Sequence, residues 1–407
     1  MRGFTSPRGR PRPARRNTGG PPHADTAPRR SAGFGASATP ELLRKLYVEI
    51  TTACNLNCGM CVRHVGHIAD ASMSRATWRR LLRQARRIPS LATVQFGGFG
   101  EPTIHPAFFD FLRDVKEAGL RAELVTNGTT LDRSFTGRLV EAQLDQLVVS
   151  FDGADGTAEE VLHPWQEGAV PRNLQQLRHA KLRRGAADPE VAIEFVATRA
   201  NIARLPQVKR LSQQLGFSRI LVTNLIPYRQ DLEEQVLYRH WATAKRDAAS
   251  SPVDPLVNLP RLDAGSEAGE AVERLQRSGT RLQVLGNDFS IGGMHCRFVL
   301  EGCMAVGPDG SVSPCLPLLH THRYYFQQEA RQVRAYRLGN VQQQTLGELW
   351  EEAEYRAFRQ RVANQAFAPC IDCGGCELRL ANEADCYGNG FPCCGACLWA
   401  AGVVQCP

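Results

Sequence analysis

The chain has 407 residues, long enough for two or three domains, with 43% hydrophobic and 22% charged residues, as in ordinary globular proteins. No apolar run approaches the roughly 18 residues that a membrane span needs, which argues against a membrane partner. The formal net charge of +8 is concentrated in residues 1–40, where eight arginines face a single aspartate. The remaining chain is nearly neutral, which argues against nucleic acid as a partner.

Residues 1–40 are rich in Pro, Gly and Arg and are predicted to form a disordered tail. Neither Arg pair in this tail is followed by an apolar segment of the kind an export signal has, so we expect a cytoplasmic protein. In a reducing compartment, clustered cysteines hold metals more often than they form disulfides. Three of the fourteen cysteines lie near the start, and eleven lie between Cys296 and Cys406.

Residues 41–228 alternate strand and helix patterns. The helix after the first strand has Ser74 as its predicted N-cap and an apolar stripe that contains Trp78. Predicted strands cover 46–51, 92–96, 121–126, 146–151, 191–198 and 219–228. Six strand–helix units predict an α/β fold with a parallel sheet, either a partial (β/α)6 barrel of TIM type or an open doubly wound sheet.

The rest of the chain is predicted to divide in two. Residues 229–290 are read as a bridging segment with one strand, "TRLQVL". Residues 291–407 have little regular pattern and many Gly, Pro and Cys residues, which predicts a small irregular domain held together by metal rather than by a core.

The stretch "TTACNLNCGMCVRH" (51–64) places Cys54, Cys58 and Cys61 on a loop that follows the first strand directly. Ligands bind at the carboxyl ends of parallel strands. Three thiolates can hold three irons of a 4Fe–4S cubane and leave the fourth iron open. A zinc site with a distant fourth ligand is the alternative. His64 and His67 lie nearby, but we interpret them as pocket or structural residues.

Three later motifs follow the next strands: "FGGFGEPTIHP" (96–106), "TNGT" (126–129) and "SFDG" (150–153). Together with the cysteine spacing they resemble the radical S-adenosylmethionine (SAM) superfamily. The resemblance implies that SAM chelates the open iron and is reductively cleaved to a 5′-deoxyadenosyl radical. It implies SAM contacts for the following residues: Met60, Gly98, Gly100, Glu101, Asn127, Ser150 and Asp152. Glu101 is expected to accept a hydrogen bond from the SAM ammonium group.

The carboxyl-terminal cysteines allow two interpretations. Cys373, Cys376, Cys394 and Cys397 have zinc-ribbon spacing. The stretch "CRFVLEGCMAVGPDGSVSPC" (296–315) instead resembles the SPASM extension of radical SAM enzymes, which implies two auxiliary 4Fe–4S clusters. The expected ligands are Cys296, Cys303, Cys315, Cys370, Cys373, Cys376, Cys386, Cys394, Cys397 and Cys406. Either Cys393 or Cys394 is expected to be spare.

The tail from Cys373 and the run "GSVSPCLPLLH" (310–320) look like radical SAM proteins grouped with tungsten-containing aldehyde oxidoreductases. This resemblance implies an oxidoreductase or maturase that acts on a peptide, a protein or a protein-bound cofactor, with an electron donor such as ferredoxin or flavodoxin. An iron–sulfur electron-transfer or scaffold protein and a cysteine-rich zinc protein are the alternatives.

Overall fold

A computed structural model of the chain describes residues 42–66, 68–151, 168–217, 219–238, 281–284, 296–371 and 376–404. All of them belong to the compact unit Ser37–Pro407. The predicted disordered tail and most of the bridging segment lie outside the described residues. Within these ranges no helix is both long enough and apolar enough to cross a membrane.

Eight parallel strands form the central sheet, in the order β8-β1-β2-β3-β4-β5-β6-β7. They are β1 Lys45–Val48, β2 Thr93–Phe96, β3 Arg121–Thr126, β4 Gln146–Ser150, β5 Glu190–Ala197, β6 Arg219–Asn224, β7 Arg281–Val284 and β8 Cys303–Val306. The first six are the predicted strands. β9 Ser311–Ser313 and β12 Gly339–Asn340 extend the sheet in antiparallel fashion beyond β8.

The helices that follow the first strands are α1 Arg63–Gly66, α2 Arg75–Ala85, α3 Phe108–Glu117, α4 Arg133–Glu141, α5 Ala169–Arg184 and α6 Leu205–Leu215. Of these, α2 to α6 pack on one face of the sheet, whereas α1 lies against the later strand His322–Phe326. As predicted, Ser74 caps α2, where its hydroxyl accepts the Thr77 N–H at 3.0 Å. Trp78 is buried and stacks on Phe111, with 4.5 Å between ring centroids.

One continuous core joins α2–α6 to alternate residues of β1–β6, such as Leu46 and Val48 on β1. Helices on a single face distinguish a barrel from a doubly wound sheet, so the partial TIM-type barrel is confirmed. Because side chains alternate along a strand, the residues between these core positions point to the concave side. There Lys45 bonds Glu123 at 2.8 Å, and Glu49 lies at the carboxyl end of β1.

The carboxyl-terminal part is more regular than its sequence pattern predicts. It contains the hairpin β10 His322–Phe326 and β11 Glu329–Val333, and the helices α7 Arg297–Leu300, α8 Leu346–Glu351 and α9 Ala353–Ala363. The strands β8 to β12 have two to five residues each, too short to show a clear period-two pattern. Since β8 pairs with β1, the sheet also crosses the domain boundaries proposed at 228 and 290.

Candidate functional site

The loop with Cys54, Cys58 and Cys61 leaves the carboxyl end of β1, as predicted, and all three cysteines are partly exposed. Two contacts fix its shape at the Cys58 carbonyl, which accepts the Cys61 N–H at 3.0 Å and lies 2.9 Å from Nε2 of His64. At the end of the barrel wall, Arg229 donates a hydrogen bond of 3.1 Å to the Gly59 carbonyl. His64 therefore has a structural bond within the loop. His67 lies outside the described residues.

Cys54 and Cys61 are electrostatic neighbours. Burial raises the pKa of the Cys61 thiol, and the nearby Cys54 raises it further. The Cys54 sulfur accepts two N–H groups, from the Leu56 backbone at 3.4 Å and from the Asn127 amide at 3.9 Å. Donors of this kind stabilise a thiolate and tune a metal centre that the thiolate holds.

The glycine-rich turn after β2 packs directly against the cysteine loop. A Cβ on Gly100 would lie 2.2 Å from the Thr51 carbonyl oxygen, and a Cβ on Gly98, whose φ is +149°, would lie 2.5 Å from the Glu49 carboxylate. The Glu101 N–H donates to the Ala53 carbonyl at 2.8 Å. These glycines therefore allow the two loops to approach each other. The sequence interpretation had identified them only as SAM contacts.

Glu101 joins the same turn to the end of β3. It is 2% exposed, and its Oε1 accepts hydrogen bonds from the N–H and hydroxyl of Thr103 and from the Thr126 hydroxyl, at 2.6–3.0 Å. Its Oε2 accepts the Asn127 N–H at 2.8 Å. Burial raises the pKa of Glu101, and these donors oppose the shift. Protein donors thus surround the carboxylate, and its predicted bond to the SAM ammonium stays a prediction.

Asn127 connects the "TNGT" turn to the cysteine loop. Its amide donates to the Asn55 side chain at 3.0 Å, and Asn55 in turn donates to the Thr129 hydroxyl at 2.9 Å. Ser150 ends β4 at the same edge of the sheet and is half-buried. Met60 is partly buried in the cysteine loop. Asp152 lies outside the described residues.

A group of side chains that the sequence interpretation missed lies beside the glycine turn. Glu49 is 1% exposed; its Oε1 accepts the Phe99 N–H at 2.6 Å and its Oε2 pairs with Nε2 of His320. The Phe99 ring lies 5.3 Å from His320 and 5.8 Å from His322. In the sequence, the signal for this group was a glutamate within the otherwise apolar strand "LYVEI".

His322 is as enclosed as Glu49, with 1% exposure. Its Nδ1 bonds the His320 carbonyl at 2.9 Å, while its Nε2 has no partner among the described residues. Burial lowers its pKa to about 4. The imidazole is therefore neutral at physiological pH.

Four of the carboxyl-terminal cysteines are brought together at one cavity: Cys296, Cys315, Cys394 and Cys397, which we call the cysteine quartet. Burial raises the pKa of Cys296 to about 12, and Cys397 contributes to this shift. The pKa of Cys394 is raised by burial and then by the other three members of the quartet. The expected group was Cys296, Cys303 and Cys315 with one late cysteine; the structure instead places two late cysteines with Cys296 and Cys315, and Cys303 does not line the cavity.

Cys393 lines the same cavity but behaves differently from the quartet. Its thiol donates to the Asn389 and Gly390 carbonyls at 3.4 and 3.3 Å. Because a thiolate has no proton to donate, this geometry belongs to a protonated thiol. Of the two cysteines expected to include a spare, the geometry favours Cys393 for that role.

The other predicted ligands are more scattered. Cys303 lies on β8 and is buried, and its pKa is raised by burial and by Cys296 among other neighbours. Cys370 is buried near Cys393. Cys376 and Cys386 are exposed. Cys373 and Cys406 lie outside the described residues.

Both sets of thiols have the ligand chemistry of an iron–sulfur cluster. In the described part of the chain, no three His, Cys, Asp or Glu side chains converge on one metal ion. In a cubane each thiolate binds its own iron. The thiols must therefore lie close together without pointing at one shared metal ion. Three thiolates can leave one iron of a cubane for another ligand, and four thiolates are the number that ligates a cubane fully.

Two family comparisons divide the chain as the cysteines do. Residues 48–197 match the radical SAM superfamily, and residues 296–377 match SPASM, an iron–sulfur cluster-binding domain. A radical SAM domain implies a 4Fe–4S cluster with SAM, and a SPASM domain implies auxiliary iron–sulfur clusters.

Similar proteins have comparable length. The chain is 29% identical over 370 residues to the tungsten-containing aldehyde ferredoxin oxidoreductase cofactor-modifying protein of Pyrococcus furiosus, covering 90% of this chain and 97% of that protein. It is 26% identical over 367 residues to the PqqA peptide cyclase of Gluconobacter oxydans, covering 86% and 89%.

The fold is shared with Streptococcus suis SuiB bound to the precursor peptide SuiA, at a TM-score of 0.52 and 14% identity over 83% of this chain and 70% of that one. The barrel, the cysteine loop and the two domain matches agree with one another. The chain thus contains a radical SAM domain match in residues 48–197 and a SPASM match in residues 296–377.

Proposed function

We propose that the chain reductively cleaves SAM at a cluster held by Cys54, Cys58 and Cys61 and uses the radical to mature a peptide, protein or cofactor substrate. The observation that carries this proposal is the joining of the cysteine loop to the two turns where the superfamily meets SAM, through Glu101 and Asn127. When bound, the cluster supplies the electron that breaks a carbon–sulfur bond of SAM.

The protein's own groups have separate tasks. Asn127 donates to the Cys54 sulfur, and Glu101 holds the backbone of the "TNGT" turn in place. Glu49 fixes the glycine turn through the Phe99 N–H. Gly98, Gly100, Ser150 and Met60 are proposed SAM contacts by their positions at the carboxyl edge of the sheet, and Asp152 by its sequence motif.

The substrate proposal comes from the relatives. The Pyrococcus furiosus protein is named for modifying the cofactor of a tungsten-containing oxidoreductase, and the Gluconobacter oxydans protein for cyclising a peptide. We therefore propose a maturase for a tungsten-dependent oxidoreductase or its cofactor. Auxiliary clusters at the SPASM cysteines are proposed to carry electrons in a net oxidation, with ferredoxin or flavodoxin as the donor to the first cluster.

The test is anaerobic reconstitution followed by iron, sulfide and zinc counts. We expect about 12 iron per chain, falling to about 8 in the Cys54→Ala/Cys58→Ala/Cys61→Ala variant, since each cubane holds four. Cys393→Ser is the matched control and should keep all its iron. About 4 iron together with zinc would contradict the auxiliary clusters.

SAM and a strong reductant should then yield 5′-deoxyadenosine with the native chain and none with the triple variant. A native chain that carries all its clusters and yields no 5′-deoxyadenosine would be an electron-transfer or scaffold protein. A chain that takes up zinc and no iron would be the cysteine-rich zinc protein.

A further inference from the structure

Arg331 is a buried cation in the carboxyl-terminal part of the chain. It lies on β11, is 1% exposed, and is among the largest fully buried side chains. Removing a guanidinium from water is costly unless an opposite charge or strong acceptors compensate for the loss. Its surroundings should therefore contain an anion or strong hydrogen-bond acceptors.

The described residues do not supply that anion. Nη1 donates to the Cys370 carbonyl at 3.4 Å, a long hydrogen bond, and the guanidinium carbon lies 4.6 Å from the centroid of the Phe326 ring. Burial raises the pKa of the Tyr324 hydroxyl, and the charge and a hydrogen bond of Arg331 oppose that shift. Within the described residues Nε and Nη2 are otherwise unpaired, and no carboxylate there forms an ion pair with Arg331.

A second buried arginine in the same region also has an unpaired Nε and no ion pair with a described carboxylate, but it lies closer to aromatic rings. Arg359 lies over the Trp350 ring at 3.8 Å and the Tyr355 ring at 4.4 Å, and it donates to the Trp350 carbonyl at 2.7 Å. Arg359 does not line the cavity of the cysteine quartet, whereas Arg331 does.

We propose that Arg331 is the charge partner of the auxiliary cluster held by the cysteine quartet, Cys296, Cys315, Cys394 and Cys397. This inference rests on the auxiliary clusters proposed above. A cluster ligated by four thiolates is anionic and becomes more so on reduction, so a fixed cation and its N–H donors raise its reduction potential. Arg331 is thus a positioning and tuning residue that sets how readily this cluster accepts an electron.

Asp372 is the competing source of negative charge. It is separated from Cys370 by one residue in the sequence and lies outside the described residues. If Asp372 were the partner of Arg331, the effect of an Arg331 substitution on the cluster would depend on its presence.

The experiment is an anaerobic redox titration followed by electron paramagnetic resonance. It uses the full chain with Cys54→Ala, Cys58→Ala and Cys61→Ala, so that only auxiliary clusters give signals. Arg331→Met is expected to keep about 8 iron. The reduction potential of one auxiliary cluster should fall by about 59 mV, which lowers its reduced-to-oxidised ratio about tenfold at a fixed potential. Arg331→Lys should shift less, and Arg359→Met should leave both potentials unchanged.

Each result decides the matter. Full iron with unchanged potentials in Arg331→Met overturns the proposal. Loss of about four iron in Arg331→Met and Arg331→Gln, with full iron in Arg331→Lys, supports it because the charge is then what retains the cluster. Loss in Arg331→Lys as well overturns it. The shift should persist in an Asp372→Asn background; its disappearance there would make Asp372 the partner. An iron count without auxiliary clusters would instead refute the proposed function.

Discussion

The cysteine loop and the cysteine quartet offer the same ligand chemistry in opposite settings. The loop lies at the open edge of the barrel, where polar contacts from Asn127 and His64 hold it. The quartet lines a cavity inside the SPASM region, and burial raises the pKa of Cys296, Cys394 and Cys397.

This difference separates two tasks of iron–sulfur chemistry. A three-cysteine loop at an open edge can accept a further ligand from solution, whereas four thiols around an enclosed cavity can saturate a cluster and shield it. Because buried thiols must lose their protons to bind iron, cluster assembly at the quartet releases protons.

The largest expected effect comes from removing cysteine ligands from one of the two regions at a time. Cys54→Ala should abolish 5′-deoxyadenosine formation, since one ligand of the SAM-cleaving cluster is missing. Cys394→Ala/Cys397→Ala should lose about four iron and still form 5′-deoxyadenosine without modified product. Anaerobic product analysis by chromatography measures both. Loss of 5′-deoxyadenosine in the quartet variant would show that the regions are not independent.

A Gly100→Ala substitution tests the packing under the loop. The new Cβ would lie 2.2 Å from the Thr51 carbonyl, so the cysteine loop must shift, and we expect about a 100-fold slower SAM cleavage. Gly59→Ala is the control, since its Cβ would meet only the Arg229 side chain at 3.6 Å. Equal rates for the two variants would refute this account of Gly100.

His322 predicts a pH dependence of stability. Its pKa in the folded chain is lowered to about 4, below the ordinary 6.5 of the unfolded chain, so the unfolded state takes up the proton first. Stability is full above pH 6.5 and falls as pH drops towards 4, by about 3 kcal/mol. Denaturant unfolding of the native chain and His322→Phe across this range measures it, with exposed His179→Gln as control. Parallel profiles for the native chain and His322→Phe would contradict the prediction.

The smallest expected effect concerns the pair of Glu49 and His320. Glu49→Gln keeps an acceptor for the Phe99 N–H but loses the charge that faces His320, so we expect about a fivefold weaker Kd for SAM. His320→Gln should have a similar effect, and the double variant should be no worse than either. Independent, multiplying effects in anaerobic equilibrium dialysis would show that the pair does not act as a unit.

Local patterns predicted the barrel well. The six strands, the Ser74 cap and the cysteine loop each follow from a few neighbouring residues, and the structure has them in place. The pairing of β8 with β1 has no local signal because the partners are far apart in sequence. The strands after Cys296 are too short to be recognised by periodicity.

The site was predictable in its motifs and less so in its contacts. Glycines signalled a close approach at 97–100, but only the structure identifies Thr51 and Glu49 as what approaches. The spacing of eleven late cysteines left their grouping open, and the cavity brings four of them together. Arg331 lies in the mostly polar strand "EARQV" and gave no sign of its burial. The roles of Asp152, Cys373 and Cys406 stay predictions.

The pairing of β8 with β1 also constrains how the chain is made. During synthesis, the backbone edge of Lys45–Val48 stays open until Cys303–Val306 has left the ribosome. An unpaired parallel edge is a template for other extended chains. A chain shortened before residue 303 therefore keeps its cysteine loop and exposes an unpaired edge strand beside it. We expect such a fragment to aggregate rather than act as a separate barrel.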